Sequence, residues 1–97
     1  MLRGWFVGDF EPTVFPTAAV EVGIKHYRAG DTEEGHHHNI ATEITVIVSG
    51  AARMGAEQLS EGEILVLNPG EESDFEALTD VTLVAVKLPA ARNDKYV

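Results

Sequence analysis

Turn chemistry interrupts this sequence at short intervals, and nothing between the interruptions is patterned like a helix. The interruptions are Ala29-Gly30-Asp31, Ser49-Gly50, Glu61-Gly62, Asn68-Pro69-Gly70 and Thr79-Asp80. Gly reaches backbone conformations closed to other residues, Pro fixes φ, and Asn, Asp and Ser bond their own backbone, so such clusters end regular elements. Between them lie short aliphatic and β-branched runs: Val20 to Tyr27, Ile40 to Ser49, Glu63 to Leu67, Phe75 to Leu78 and Val81 to Leu88. Ala51 to Met54 and Ala56 to Leu59 read as a hairpin about Gly55. No segment sustains a 3.6-residue apolar period with caps at both ends. Many short strands at even spacing predict an all-β sandwich or barrel.

A chain of 97 residues, 44% of them hydrophobic, supports one core and therefore one domain. Aromatic residues make up only 7%, so that core is aliphatic. Three predicted strands are apolar on both faces. In Ile44 to Val48, residues Ile44, Val46 and Val48 share one side and Thr45 and Ile47 the other. Ile64 to Leu67 and Val81 to Val86 behave alike. A strand with one wet face alternates more cleanly, so something is expected to cover the second face. The candidates are the apolar N-terminal segment (Trp5, Phe6, Val7, Phe10, Val14, Phe15) and a second copy of the chain. We expect a homodimer.

Charge excludes other roles. Sixteen acidic against seven basic residues give a net charge of −9. Nucleic acids and anionic lipids are bound through Lys and Arg, so neither is an expected partner. Cysteine is absent, which removes disulfides, thiolate metal sites and a cysteine nucleophile. No apolar run approaches the ~18 residues of a membrane span. The first ten residues are broken by Gly4, Gly8 and Asp9, so no export leader is expected and the expected location is cytoplasmic.

Three of the four histidines are consecutive: His36, His37 and His38. In an extended segment His36 and His38 share a face, with His37 opposite. Two imidazoles on one face form a chelating pair suited to divalent transition metals. Glu43 opens the strongest predicted strand and offers a carboxylate, on the face shared with Thr45, Ile47 and Ser49. An acid on the inward face of an apolar strand is costly unless it is paired or bound to metal.

Gly30, five residues, His36, one residue, His38, four residues, Glu43, six residues and Gly50 follow in order. This spacing resembles, position for position, the first signature motif of the cupins. Gly62, Asn68-Pro69-Gly70 and Ser73 resemble the second, with Gly62 and Gly70 matching. There Asn68 stands at the usual proline position and Ser73 at the usual histidine position. The resemblance runs from about Val20 to Leu88. It implies a single-domain cupin-like jelly roll, a double-stranded β-helix barrel over residues 20–88. Residues 1–19 are then an N-terminal extension packing on the barrel or on a dimer partner, and residues 89–97 a polar tail that Tyr96 could anchor.

Cupins usually hold one metal with three His and one Glu. The resemblance carries over His36, His38 and Glu43 as ligands of one divalent ion, Fe, Mn, Zn or Ni. Ser73 departs from the pattern, because a neutral hydroxyl is a poor ligand. His26, Asp74 and Glu72 are candidates to replace it. His26 reads better as a structural or pocket-wall residue, and Glu33 as a solvated loop acid. Glu71, Glu72, Asp74 and Glu76 read as a solvated rim. Lys25, Arg28 and Arg53 are the bases that could orient a ligand carboxylate, and parity leaves open which face of the Lys25 strand lines a pocket.

Three functions compete. One is a metal-dependent enzyme, dioxygenase-like or isomerase-like, acting on a small organic molecule. The second is a non-catalytic small-ligand module with a degenerate metal site. The third is a partner-binding protein that uses its doubly apolar strands.

Overall fold

The structure, a computed structural model, describes residues 4–38, 40–90 and 95–96; the side chains of residues 36–38 and 95–96 lie outside that description. The described residues form eleven strands and no helix. They are β1 (Trp5–Gly8), β2 (Phe15–Pro16), β3 (Glu21–Tyr27), β4 (Thr32–His38), β5 (Thr42–Ser49), β6 (Ala51–Met54), β7 (Glu57–Ser60), β8 (Ile64–Leu67), β9 (Ser73–Ala77), β10 (Val81–Leu88) and β11 (Lys95–Tyr96). Among the described residues no helix is long and apolar enough to cross a membrane.

Two sheets form. One has the order β2-β1-β3-β10-β5-β8, the other β11-β4-β9-β6-β7. From β3 to β6 the chain changes sheet at every strand, and it does so again from β7 to β10. This winding between two sheets is the double-stranded β-helix. It sets β10 between β3 and β5, with Leu83 opposite both Lys25 and Ile47 and Val84 opposite both Ile24 and Val46.

The core lies between the sheets. Ile47 is fully buried, and Ala52, Met54, Leu59, Phe75, Ala77, Val81, Leu83 and Ala85 surround it. Each large aliphatic side chain so placed contributes about 1.5–3 kcal/mol through removal of apolar surface from water. The only ring pair joins the sheets among the described residues: Tyr27 and Phe75 sit 4.5 Å apart at 40°. Turn residues close the strands as their chemistry requires. Gly50, between β5 and β6, has φ +87, and a Cβ there would collide with the Asp80 carbonyl of the neighbouring turn.

The hairpin about Gly55 pairs Ala52 with Leu59 and Met54 with Glu57. The segment before the histidines differs from the sequence reading, which placed it in a loop. Thr32–His38 is a strand, β4, despite having little β-propensity of its own. Pairing with β9 supplies what the local sequence lacks. The N-terminal segment also takes a different course from a covering flap. β1 adds to the sheet edge beside β3, pairing Trp5 with Gly23.

The outward face of the six-stranded sheet is apolar over two full rows. Val22, Val86, Ile44 and Val66 align in register, as do Ile24, Val84, Val46 and Ile64. Ile64 remains 59% exposed and Val66 47%.

Candidate functional site

One end of the barrel opens into a cavity of about 370 Å³, counting its open mouth. Lys25 and Tyr27 from β3, Glu33 from β4, Glu43 and Thr45 from β5, Ser73 and Phe75 from β9, and Leu83 and Ala85 from β10 line it. Much of that volume is open solvent at the mouth, and the enclosed part is far smaller.

Glu43 arrives by simple alternation. Thr45 and Ile47, two and four residues on, are buried, so Glu43 occupies the same inward row at the mouth. β4 needs an irregularity. Glu33 stands opposite Phe75 and His36 opposite Ser73, so three steps on β4 match two on β9. A bulge therefore lies between them, and bulges shift the register of all that follows. Because of it, His36 holds the position facing Ser73, a buried residue of the pocket wall. The Ser73 hydroxyl donates to the Asp74 carbonyl oxygen at 2.8 Å.

The side chains of His36 and His38, the two expected imidazole ligands, lie outside the described residues, as does that of His37, expected to point away. Among the described residues no three His, Asp or Glu side chains gather closely enough to hold a metal. The donor set of two imidazoles and one carboxylate nonetheless has the chemistry of a divalent transition ion. The described member, Glu43, is a half-buried carboxylate on the pocket wall.

None of the three suggested replacements for the missing ligand reaches the pocket with a spare donor. His26 is exposed on the outer face, where its Nδ1 lies 3.1 Å from the Thr82 hydroxyl. Asp74 is held by Arg53 through two bonds of 3.0 and 3.1 Å and accepts a third from the Gly55 amide. The Arg53 guanidinium and these bonds draw the Asp74 carboxyl below its ordinary range. Glu72 is exposed. Asp74 and Glu76 are thus not a free rim, because Arg53 also reaches Glu76 at 3.4 Å. Arg53, suggested as a ligand-orienting base, is spent on its own chain.

Glu33 corrects the sequence reading. It is half-buried on β4 rather than solvated in a loop, and it accepts a hydrogen bond from the Tyr27 hydroxyl. Burial, then the charges of Glu33, Glu43 and Asp31, push the Tyr27 phenol well above its usual range. It stays protonated at neutral pH. Sequence parity paired Tyr27 with Lys25 opposite His26, and the structure settles that the Lys25 and Tyr27 face is the inner one.

Trp5 packs beside Lys25. Its ring lies on Gly23, where a Cβ would come within 2.8 Å of Cε3, and the Lys25 Nζ sits 5.0 Å from a Trp5 ring centroid. Sequence alone placed Trp5 only in the apolar N-terminal segment that could cover a sheet face. The cue it held was the small Gly23 two residues before Lys25.

No protein-family model matches the sequence, and no curated protein matches it. Solved structures do. A Klebsiella pneumoniae protein with a double-stranded β-helix domain superposes with a TM-score of 0.71 at 22% identity, over 76% of this chain and 66% of that one. An RmlC-like cupin protein from Desulfovibrio desulfuricans gives 0.70 at 20%, over 78% and 77%. Oxalate decarboxylase of Bacillus subtilis, described as having Mn(II) centres, gives 0.71 at 16%, over 82% of this chain but 24% of that one. The fold is that of the cupins, and this chain spans about two thirds of the Klebsiella protein and a quarter of the decarboxylase.

Proposed function

We propose that this chain binds one divalent transition metal at the mouth of its barrel, through His36, His38 and Glu43, and uses it on a small organic molecule. The observation that carries this reading is Glu43: a carboxylate on the inward row of an apolar strand, at the open end of a pocket with hydroxyl-bearing walls. Such a group is costly in a core and useful as a hard ligand. Support also comes from the backbone register that sets His36 opposite Ser73 on that wall, and from the Mn(II) centres of the decarboxylase with the same fold.

A divalent ion held there would supply Lewis acidity toward a bound oxygen. The chain's own residues supply the rest. Tyr27 keeps its proton and donates it in a hydrogen bond to Glu33, leaving its phenol oxygen as an acceptor, and Phe75 and Leu83 add apolar wall. This constellation suits a metal-dependent enzyme, dioxygenase-like or isomerase-like. One observation favours a second reading, a non-catalytic ligand-binding module with a weakened metal site. The Ser73 hydroxyl is already committed to the Asp74 carbonyl, at the position where a cupin usually has its third histidine.

The proposal includes a homodimer. The two apolar rows on the outer sheet face carry no charge on a chain of net −9, so a second copy meets least repulsion there. Sedimentation at micromolar concentration should give twice the chain mass; a monomer mass would overturn it. The cysteine-free composition makes the cytoplasm its proposed compartment.

The deciding experiment is metal content by plasma mass spectrometry on untagged protein never exposed to a nickel column. About one iron, manganese or zinc per chain is expected, lost in His36→Ala and His38→Ala. Negligible metal with no uptake on reconstitution would overturn the metal site and leave the module.

A further inference from the structure

We propose that β8 is a docking edge for a second copy of this chain, the two β8 strands pairing antiparallel about a two-fold axis at Leu65. The inference goes beyond the homodimer reading above. It shares the occupant, but it concerns the edge of the six-stranded sheet rather than its outer face, and it fixes a register.

An unpaired sheet edge is open to any other strand, and proteins blunt such edges with charge or proline. Among the described residues the other edges are blunted in this way. β2 ends in Pro16, β11 carries Lys95 and β7 carries Glu57. β8, Ile64-Leu65-Val66-Leu67, carries neither. Leu65 and Leu67 pack against the core, while Ile64 and Val66 are exposed. The acid just before the strand is turned back on its own chain: Glu63 accepts from the Ser60 amide at 2.9 Å and from the Ser60 hydroxyl at 2.8 Å.

The backbone bonds show which groups are open. The Ile47 amide donates to the Glu63 carbonyl, and the Ile47 carbonyl accepts from the Gly62 amide, so Ile47 faces β8. Directions alternate along a strand, so Thr45 faces β8 as well and meets Leu65, its opposite residue. Ile64 and Val66 therefore direct their amides and carbonyls away from β5, toward the open edge. Both ends of this stretch are closed. The Gly62 amide is spent on Ile47. Asn68 gives its amide to the Glu71 carboxylate at 2.8 Å, and its carbonyl accepts from the Glu71 amide at 3.0 Å.

A second β8 fits this edge in one register. Antiparallel strands set like faces together, so a two-fold axis falls opposite Ile64, Leu65 or Val66. An axis at Ile64 would pair Val66 with the spent Gly62. An axis at Val66 would pair Ile64 with the spent Asn68 and bring Glu61 into line with Glu71. The axis at Leu65 pairs Ile64 with the partner's Val66, and each such pair exchanges both of its backbone bonds. Glu61 and Glu63 then line up with Pro69 and Leu67, so no acid meets an acid, which matters on a chain of net charge −9. The apolar rows also join. Ile24, Val84, Val46 and Ile64 run on across the axis into the partner subunit's Val66, Ile44, Val86 and Val22.

Proline and introduced thiols test this. Val66→Pro removes an N–H that serves only the open edge, where proline is tolerated, so the fold should stand while the pairing is lost. Val66→Pro should sediment at half the wild-type mass at micromolar concentration. Val84→Lys charges the middle of the outer face and should leave the edge pair intact. The chain has no cysteine, so single introduced thiols report the register. Ile64→Cys mixed with Val66→Cys and oxidised should give mainly the mixed disulfide. Three results would each overturn the proposal: a monomeric wild type, a folded Val66→Pro that keeps the wild-type mass, or an oxidised mixture without a predominant mixed disulfide. Should Val66→Pro fail to fold, the disulfide decides. The two interfaces fail differently. A monomeric Val84→Lys beside an unaltered Val66→Pro would remove the edge and leave the outer face, and the converse would remove the outer face and leave the edge.

Discussion

Inside the barrel the Tyr27 hydroxyl of β3 donates a hydrogen bond to the Glu33 carboxylate of β4, so one strand from each sheet contributes to the same wall. The phenol's pKa is raised by burial first and by neighbouring carboxylates second. A raised folded-state pKa means that the folded chain keeps a proton the unfolded chain gives up. The associated stability is fully present below the ordinary phenol value of 10.0 and is lost as pH rises beyond it. Urea titrations from neutral pH to above pH 10 should show stability falling in wild type. The fall should be shallower by one proton in Tyr27→Phe, and identical slopes would contradict the assignment.

The acid limb has the opposite sign. Arg53 lowers the Asp74 pKa, so this pair contributes stability above the ordinary carboxyl value of 3.8 and loses it as pH falls further. Asp74→Asn should therefore lower stability at neutral pH slightly, because the pair is solvent-exposed, and should flatten the acid limb. Acid unfolding followed by circular dichroism for both proteins is the measurement.

Gly23→Ala should destabilise the fold by about 1–3 kcal/mol, as overpacking does, because its methyl would press on the Trp5 ring. The same change in a Trp5→Leu background should cost much less. Denaturant midpoints for the four proteins of this double-mutant cycle give the coupling directly.

Ser73→His tests the incomplete ligand set. Ser73 is buried on the pocket wall and opposite His36 in register. With a fourth donor, metal affinity in competition with a chelator should rise roughly tenfold or more. An unchanged affinity would mean that the three proposed ligands already complete the site.

Much of the fold was legible in the residues. β10 spans Val81–Leu88, as its β-branched run and bounding turns predicted, and the hairpin about Gly55 forms. Glu43 was legible too, because β5 alternates without interruption from Glu43 to Ile47. β4 was not. Thr32–His38 owes its strand to β9, a partner more than thirty residues away in the chain, and the bulge between Glu33 and His36 defeats any count of parity. Glu33 was consequently assigned to solvent when it belongs to the pocket.

The sequence by itself determined that this protein is built of short strands, that it carries a two-histidine and one-carboxylate pattern, and that its sheets have apolar surface on both sides. Each follows from local chemistry: turn residues, β-branched runs, and spacing along the chain. Only the tertiary structure decided which face of each strand is inside. On β3 the more apolar face is outermost and the Lys25 and Tyr27 face lines the cavity. The sequence left that choice open. The pairing of β3 with β10, in a register that β5 and β8 continue, decides it, because it commits every side chain of the strand at once.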